Sequence, residues 1–463
     1  MKLSRTLAIG SLIVLGTSFE ATPANLHPWP GEELSGGATT VFDTRSSAFG
    51  RMVANLDPSR WIAVRAGKSL FANPWVPRGQ SASPGARPGL GPRFNADSCA
   101  GCHFRDGRVG PQEPGVEASP PLLVRLAIPA SRGGWGPEPT YGAQLNERAV
   151  GIPAEGTLQV EYEEVVGHYG DGEPYRLRRP SYRIQGLSRG PLHADAQLTV
   201  LMPPSLIGLG LLEAVPVGQL QDLADPEDTD GDGISGRIPP SLEDDSGIGR
   251  FGWKATQPNL ESQIALAFSE DMGIMSTAYP QGNCAAKDAA CRRLAGAERD
   301  LSPTQLARVT LYTRLLAPPA RRDVESSEVL EGRNLFLELG CASCHSPRLR
   351  TVEAGSKGEV LPELSGQIIR PYSDLLLHDL GPELAGGFPD GGAESGEWRT
   401  PALWGLGLHR QVSGSIFLLH DGRARSIEEA ILWHGGEAEA ARLAFVASSA
   451  RQRRAVLRFL NSL

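Results

Sequence analysis

The spacing of apolar residues predicts helices in several parts of the chain. A G-x-x-L-F pattern occurs at residues 67–71 and again at 332–336, and each copy fits one helix. In residues 450–463 apolar side chains recur at three- and four-residue intervals, which predicts a C-terminal amphipathic helix. Residues 260–268 and 426–434 are also expected to be helical, and the second begins with the capping sequence S-I-E-E.

A different pattern fills residues 158–186. β-type residues flank the sequence Gly170-Asp171-Gly172, which is typical of a turn. We therefore expect one β-hairpin inserted among the helices.

The N-terminus carries an apolar run at residues 7–16, preceded by Lys2 and Arg5 and followed by small residues. This layout is typical of a secretory signal peptide, with cleavage expected near Ala24. The alternative is a short membrane anchor, but the run is shorter than the ~20 residues needed to span a bilayer. No transmembrane segment is expected in the mature chain.

Composition limits the class of protein. The chain has 463 residues, of which 40% are hydrophobic and 21% charged, and these values are typical of a soluble protein with two or three domains. The formal charge of −8 argues against a nucleic-acid partner.

The pattern C-x-x-C-H occurs twice, at residues 99–103 and 341–345. Two thiols at this spacing can form thioethers to a haem, and the adjacent histidine can bind its iron. Zinc binding is the alternative, but two copies in one exported chain favour two covalent c-type haems. The predicted attachment residues are Cys99, Cys102, His103, Cys341, Cys344 and His345.

The chain repeats itself around these motifs. Residues 204–211 match 401–408, and residues 251–255 parallel 420–424. We therefore predict a mainly α fold with two cytochrome c-like haem domains related by internal duplication, and a small β insertion in the N-terminal half. The expected divisions are a signal peptide (1–24), an N-terminal haem domain with the hairpin and an acidic loop (25–320), and a C-terminal haem domain (321–463).

Two further features concern cysteine and calcium chemistry. Cys284 and Cys291 are expected to form a local disulfide in an oxidising compartment, with a redox dithiol as the alternative. Asp228, Asp230 and Asp232 form the front half of a calcium loop, D-x-D-x-D-G, without the glutamate that closes an EF-hand. Calcium is therefore an expected cofactor, and a solvated acidic turn is the alternative.

These residues, together with segments 374–381 and 397–401, resemble the bacterial di-haem cytochrome c peroxidases and the methylamine dehydrogenase maturation enzyme. The chain is most similar to the di-haem oxidoreductase family, whose members are also labelled thiol oxidoreductases or peroxidases. The resemblance runs from about Gly67 to Leu463. The thiol label has no support here, because four of the six cysteines are assigned to haem.

The resemblance implies a second ligand for the second haem. In the peroxidases an axial methionine follows the histidine of an H-(D/S)-G sequence by fourteen positions. Here His420 begins that sequence, and His434 stands fourteen positions after it. We expect His345 and His434 to bind the second iron together. Because methionine raises a haem potential, histidine should make this haem a stronger reductant than its counterpart in the peroxidases. The alternative is a helix-terminal histidine that interacts with the helix dipole.

The resemblance also implies residues around the first haem. Gln263 and Asp271 match a glutamine and a carboxylate that handle protons during peroxide cleavage. Trp253 lies near the position of a tryptophan associated with electron passage between haems. The alternatives are a capping Asp271, a solvated Gln263, a core Trp253, and Met272 or Met275 as a resting ligand.

The function expected from these features is a periplasmic di-haem oxidoreductase of peroxidase type. A redox protein would donate electrons to the second haem, which relays them to a reactive first haem that reduces peroxide. Two alternatives remain: a high-valent haem oxidase that acts on a protein or small molecule, and a di-haem electron carrier without catalysis.

Overall fold

A computed structural model describes residues 27–78, 87–110, 122–131, 133–241, 247–355 and 360–463. The predicted signal peptide, residues 1–24, lies outside the described residues. The α-helices are α1 (Trp61–Ala72), α2 (Cys99–Cys102), α3 (Leu209–Glu213), α4 (Val217–Leu223), α5 (Leu260–Met272), α6 (Ala289–Ala295), α7 (Pro303–Arg314), α8 (Ser327–Glu338), α9 (His409–Ser413), α10 (Ile427–Trp433), α11 (Glu439–Ala447) and α12 (Ala450–Ser462).

The strands are short except for two that form a long hairpin. They are β1 (Trp75–Pro77), β2 (Arg87–Leu90), β3 (Arg93–Phe94), β4 (Leu123–Pro129), β5 (Trp135–Pro137), β6 (Arg148–Ala149), β7 (Thr157–His168), β8 (Pro174–Gln185), β9 (Gln197–Leu201), β10 (Leu349–Arg350), β11 (Ile368–Ile369), β12 (Leu377–Asp379) and β13 (Glu397–Arg399).

The prediction of a mainly α, cytochrome c-like fold is wrong. The protein is 33% helix and 19% strand, with several separate sheets. Strand β5 follows β4 closely in the sequence and pairs with it. Two other pairings join distant parts of the chain: β3 pairs with β6, and Leu123 of β4 faces Leu201 of β9. Such pairs have no local turn signal, so hydrophobic spacing alone did not reveal them.

The sequence repeat has a structural counterpart in two helix pairs. Helix α1 packs on α7, and α8 packs on α12. A Cβ on Gly67 would overlap the carbonyl oxygen of Arg308, and a Cβ on Gly332 would overlap that of Ala455. Each G-x-x-L-F glycine therefore allows its helix to approach the backbone of the partner helix closely.

The phenylalanine of each repeat connects its helix pair to the following C-x-x-C-H motif. Phe71 has its ring centre 6.3 Å from that of His103, and Phe336 lies at the same distance from His345. The part of the chain up to residue 320 (the first half) and the part from residue 321 (the second half) thus hold their motif histidines against corresponding aromatic side chains.

The hairpin from the first half reaches across to the second half. Strand β7 pairs with β8 in an antiparallel ladder, as the Gly-Asp-Gly turn predicts. The Tyr182 hydroxyl donates to Asp421 at 2.8 Å, and the Tyr169 hydroxyl donates to Glu428 at 2.8 Å. The hairpin therefore braces the segment that leads into α10.

Two further observations complete the fold. Cys284 and Cys291 are joined by a disulfide in the structure. Among the described residues, no helix has both the length and the apolar character needed to cross a bilayer.

Candidate functional site

A single cavity of about 1020 Å³ is lined by both C-x-x-C-H motifs. Its volume is at the upper end of the roughly 300–1,000 Å³ range of small-molecule sites. The first motif begins in the short helix α2, and the second begins in a 3-10 turn, Cys341–Ser343, directly after α8. The two motifs therefore face one shared space although they are far apart in the sequence.

The four motif cysteines are free thiols in the structure. Burial raises the pKa of the Cys99 and Cys341 thiols to about 12, and it also raises the pKa of Cys102 and Cys344. Reactive thiols normally have a lowered pKa, so these four are not activated for redox exchange.

The second motif has two histidines arranged alike. His345 Nδ1 lies 2.9 Å from the carbonyl oxygen of Tyr372, and His434 Nδ1 lies 2.6 Å from that of Ala430. Each Nδ1–H donates to a carbonyl, which leaves Nε2 available as a metal ligand. His434 stands at the C-terminus of α10, and both rings line the cavity.

The protonation state of these histidines also suits metal binding. Burial lowers the pKa of His345 to about 4, and it lowers the pKa of His434 as well. A charge on His434 would lower the pKa of His345 further, so the two rings are electrostatically coupled. Both imidazoles are neutral at physiological pH, as iron ligation requires.

His103 of the first motif is held differently. Burial lowers the pKa of His103 to about 4, so this ring is neutral too. However, its Nδ1 is buried and has no hydrogen-bond partner among the described residues. The carbonyl groups of Gly107 and Pro204 lie close enough to this ring to raise its pKa in part, but neither makes a hydrogen bond to Nδ1 like the 2.9 Å one between His345 and Tyr372.

Asp271 lies beside the first motif, on the cavity wall at the end of α5. The amides of Asn95 and Ala96 donate to its carbonyl oxygen at 2.7 and 3.3 Å, which fixes this end of α5 against the segment before the motif. Gln144 Nε2 donates to Asp271 Oδ1 at 2.7 Å. A single amide thus holds one carboxylate oxygen.

The surroundings of Asp271 suit proton transfer. Burial raises the pKa of Asp271 to about 6, and the neighbouring Glu270 also raises it, whereas Gln144 and Arg125 lower it. Arg125 Nη1 in turn lies 3.7 Å from Glu270 Oε2. A carboxyl with this pKa can both accept and donate a proton near neutral pH.

Gln263 lines the same cavity from α5 but does not contact Asp271 through any hydrogen bond described. The two residues are two turns apart on the helix, which corresponds to about 12 Å along its axis. The sequence identified Gln263 from the resemblance and missed Gln144, which lies in no motif and meets Asp271 only through the fold.

Trp253 also lines the cavity, at the junction of the two halves. Its indole N–H donates to the carbonyl oxygen of Met202 at 2.7 Å, and the Met202 amide donates to the carbonyl of His420 at 2.6 Å. The His420 ring stacks on Trp398 with centres 3.9 Å apart. Aromatic residues of both halves therefore meet in this wall.

His378 lies next to the second motif, but it is not available as an iron ligand in this arrangement. Its Nδ1 lies 2.7 Å from Glu437 Oε2, and its Nε2 lies 2.8 Å from Asp374 Oδ2. Burial alone lowers the pKa of His378, but hydrogen bonds to Asp374, Cys344 and Glu437 raise it overall. Both nitrogens of this buried imidazolium are occupied.

The acidic loop is anchored close to the same region. Carboxylate oxygens of Asp228, Asp230 and Asp232 lie within 4.8 Å of one another. The Ser235 hydroxyl donates to Glu437 Oε1 at 2.9 Å, which ties the loop to the carboxylate that also holds His378.

Basic and acidic side chains both line the cavity, and the Lys254 ammonium donates to the carbonyl oxygens of Glu394, Ser395 and Glu397. Lys254 and Arg399 are buried, and Arg108 has a buried Nε. Within the described part of the chain, none of the three has a carboxylate partner within 4.0 Å. Two haems with ionised propionates would supply matching negative charge, so the residues present fit such groups.

Comparison with known protein families identifies a match over most of the chain. A family model described as "Di-haem oxidoreductase, putative peroxidase" matches residues 31–120 and 144–463. No curated protein matches the chain.

Proposed function

Because the chain belongs to the di-haem oxidoreductase family, we propose that it is an exported enzyme that reduces peroxide with electrons from a redox protein. The proposed location is the periplasm. We further propose that the second haem passes electrons to the first, where peroxide is reduced.

The attachment residues follow from the two motifs. Thioethers would form at Cys99 and Cys102 for the first haem and at Cys341 and Cys344 for the second. His103 and His345 would be the iron ligands supplied by the motifs themselves. The shared cavity, the neutral histidines and two arginines of its wall without an ion pair among the described residues, Arg108 and Arg399, support this assignment.

The observation that carries the proposal is the unequal surroundings of the two motifs. His345 is accompanied by a second neutral histidine, His434, whose Nε2 remains available. The first motif is accompanied instead by Asp271, a carboxyl with a pKa raised to about 6. Two side-chain ligands suit electron transfer, whereas an iron beside a proton-transfer group suits catalysis.

The protein residues supply the protons for this reaction. Reduction of one peroxide to two waters takes two electrons and two protons, and haem iron supplies the electrons. Asp271 accepts and returns a proton through the carboxylate oxygen that Gln144 does not hold. The fixed amide keeps the other oxygen in place, so the carboxyl group needs little reorganisation.

Calcium and the junction residues have supporting roles in this proposal. Asp228, Asp230 and Asp232 would bind Ca²⁺ and stiffen the loop that Ser235 ties to Glu437. Trp253, which lines the shared cavity and is linked to His420 through Met202, would assist electron passage between the haems.

A steady-state assay tests the function. Peroxide added to the holoprotein with a reduced cytochrome c should cause oxidation of the cytochrome, with two equivalents oxidised per peroxide. The same assay without enzyme, and with an Asp271→Asn variant, provides the controls. If the holoprotein exchanges electrons with the cytochrome but does not consume peroxide, the protein is an electron carrier and the proposal fails.

A further inference from the structure

Two buried hydrogen-bond donors on the cavity wall meet no acceptor in the part of the chain that the structure describes. Arg108 Nη2 lies 3.2 Å from His409 Nε2. A guanidinium can only donate, so Nε2 is the acceptor and the neutral ring carries its proton on Nδ1. His409 Nδ1 and Arg108 Nε are both buried, and neither has a partner among the described residues.

The charge of this pair is also uncompensated. Burial and the charge of Arg108 both lower the pKa of His409, so the imidazole is neutral. Arg108 has no ion pair within the ranges described, and burial lowers its own pKa to about 10, so it stays charged. A buried donor without an acceptor destabilises the fold, and a charged one does so more strongly. An anionic acceptor in the cavity would satisfy both donors and balance the charge of Arg108.

The position of the pair relates it to the first motif. Arg108 follows His103 by five residues, and the next amide, that of Val109, donates to the carbonyl of Cys102 at 3.1 Å. His409 begins α9 in the other half of the chain, and both side chains line the shared cavity. The second half thus contributes a side chain to the surroundings of the first motif.

We propose that Arg108 and His409 together bind a carboxylate, and that this carboxylate is a propionate of the haem attached at Cys99 and Cys102. The inference rests on the proposed function, because it requires a haem at the first motif. His409 then acts through Arg108 and the propionate rather than as an iron ligand, since its Nε2 is already engaged. A free carboxylate substrate is the other source of the same chemistry.

The consequence is electrostatic. A guanidinium beside the propionate neutralises charge near the first iron and favours its reduced state. Removal of the guanidinium charge should therefore lower the midpoint potential of one haem and leave the other haem unchanged.

The experiment uses the haem-loaded protein and the variants Arg108→Gln, Arg108→Lys and His409→Gln. Arg410→Gln is the matched control, because Arg410 adjoins His409 but is exposed. Covalent haem is counted on a denaturing gel, the propionate bending bands are recorded by resonance Raman spectroscopy, and the potential of each haem is titrated. The wild-type spectrum is also recorded with and without added acetate.

We expect the propionate band of one haem to shift in Arg108→Gln and in His409→Gln. The potential of that haem should fall in Arg108→Gln and recover in Arg108→Lys, and Arg410→Gln should match the wild type. Unchanged bands and potentials in Arg108→Gln, with two haems attached, would overturn the carboxylate assignment alone. An acetate-induced spectral change that Arg108→Gln abolishes would assign the site to a free carboxylate and overturn the propionate assignment. Absence of covalent haem in the wild type would overturn the proposed function as well.

Discussion

Gln144 donates a 2.7 Å hydrogen bond to Asp271 Oδ1 across 127 residues of sequence. This contact joins the β-rich part of the first half to the end of α5, beside Cys99 and Cys102. It lowers the pKa of a carboxyl that burial raises, so the amide adjusts the proton affinity of Asp271 as well as its position.

Substitution of Asp271 should remove the proton-transfer group. Asp271→Asn keeps the size of the side chain and an oxygen that can accept from Gln144, but it removes the group that takes up a proton. Peroxide turnover should therefore fall by about 10²- to 10⁴-fold. The wild-type rate should rise with pH through the pKa of about 6, because the carboxylate form accepts the proton. Asp271→Asn should lose this dependence in a kcat-against-pH profile. The exposed control Asp195→Asn should keep it, and retention of the acidic limb in Asp271→Asn would rule out this role.

Removal of the Gln144 amide should shift the acidic side of the same kcat-against-pH profile. Because the hydrogen bond stabilises the carboxylate, Gln144→Leu should raise the pKa of Asp271 and move the acidic limb of kcat to higher pH. The measurement is the pH profile at saturating peroxide. A limb that stays in place would mean that Gln144 does not control the titrating group.

His434 should determine the state of the second haem. His434→Ala removes one of two ligands, so this haem should become high-spin in its ferric spectrum while the first is unchanged. His434→Met should instead keep it low-spin and raise its midpoint potential, since methionine ligation raises haem potentials. His168→Ala, at an exposed position of the hairpin, is the control. An unchanged low-spin signal in His434→Ala would refute the ligand assignment.

Local patterns in the sequence account for the parts of the fold that are local. The helices at residues 260–268 and 426–434 and the hairpin around the Gly170 turn depend on neighbouring residues, and the structure contains them. The strand pairs β4–β9 and β3–β6 depend on partners far along the chain, and they account for part of the error in fold class.

The candidate site also combines residues that the sequence predicts with contacts that only the fold creates. The C-x-x-C-H motifs are predicted from their own spacing and His434 from the resemblance, and the structure places His103, His345 and His434 on the wall of one cavity. The Arg108–His409 contact spans 301 residues, and the Gln144–Asp271 contact is also long-range, so no spacing could reveal either. Both pairs consist of ordinary polar residues that gain their properties only from burial.

The close helix contacts at Gly67 and Gly332 should contribute substantially to the free energy of unfolding. Gly67→Ala and Gly332→Ala each place a methyl group against a partner-helix carbonyl, and overpacking of this kind costs about 1–3 kcal/mol. The denaturant midpoint should fall in both variants. Gly218→Ala in α4 is the control, because a Cβ there meets no atom within 4 Å and should be neutral or stabilising. Equal midpoints for Gly67→Ala and Gly218→Ala would contradict the close packing of α1 on α7.

Calcium should bind the acidic loop and stabilise the folded protein. Ligand binding to the native state raises its stability in proportion to ln(1 + [L]/Kd), so the thermal midpoint should rise as Ca²⁺ is added. Asp232→Ala should abolish the rise, because it removes one of three converging carboxylates. The exposed control Asp222→Asn should keep it. If Asp232→Ala responds to Ca²⁺ like the wild type, the ion binds elsewhere.

The most direct measurement is the binding of cyanide to the oxidised and half-reduced holoprotein, followed by optical and electron paramagnetic resonance spectra of each haem. Unequal surroundings predict two covalent haems, of which one is low-spin and indifferent to cyanide. The other haem, at the first motif, should contain a high-spin fraction that cyanide converts to low-spin. Asp271→Asn should alter the spectrum of this haem alone. Two low-spin haems that both ignore cyanide in every redox state would contradict the division into an electron-transfer haem and a reactive haem.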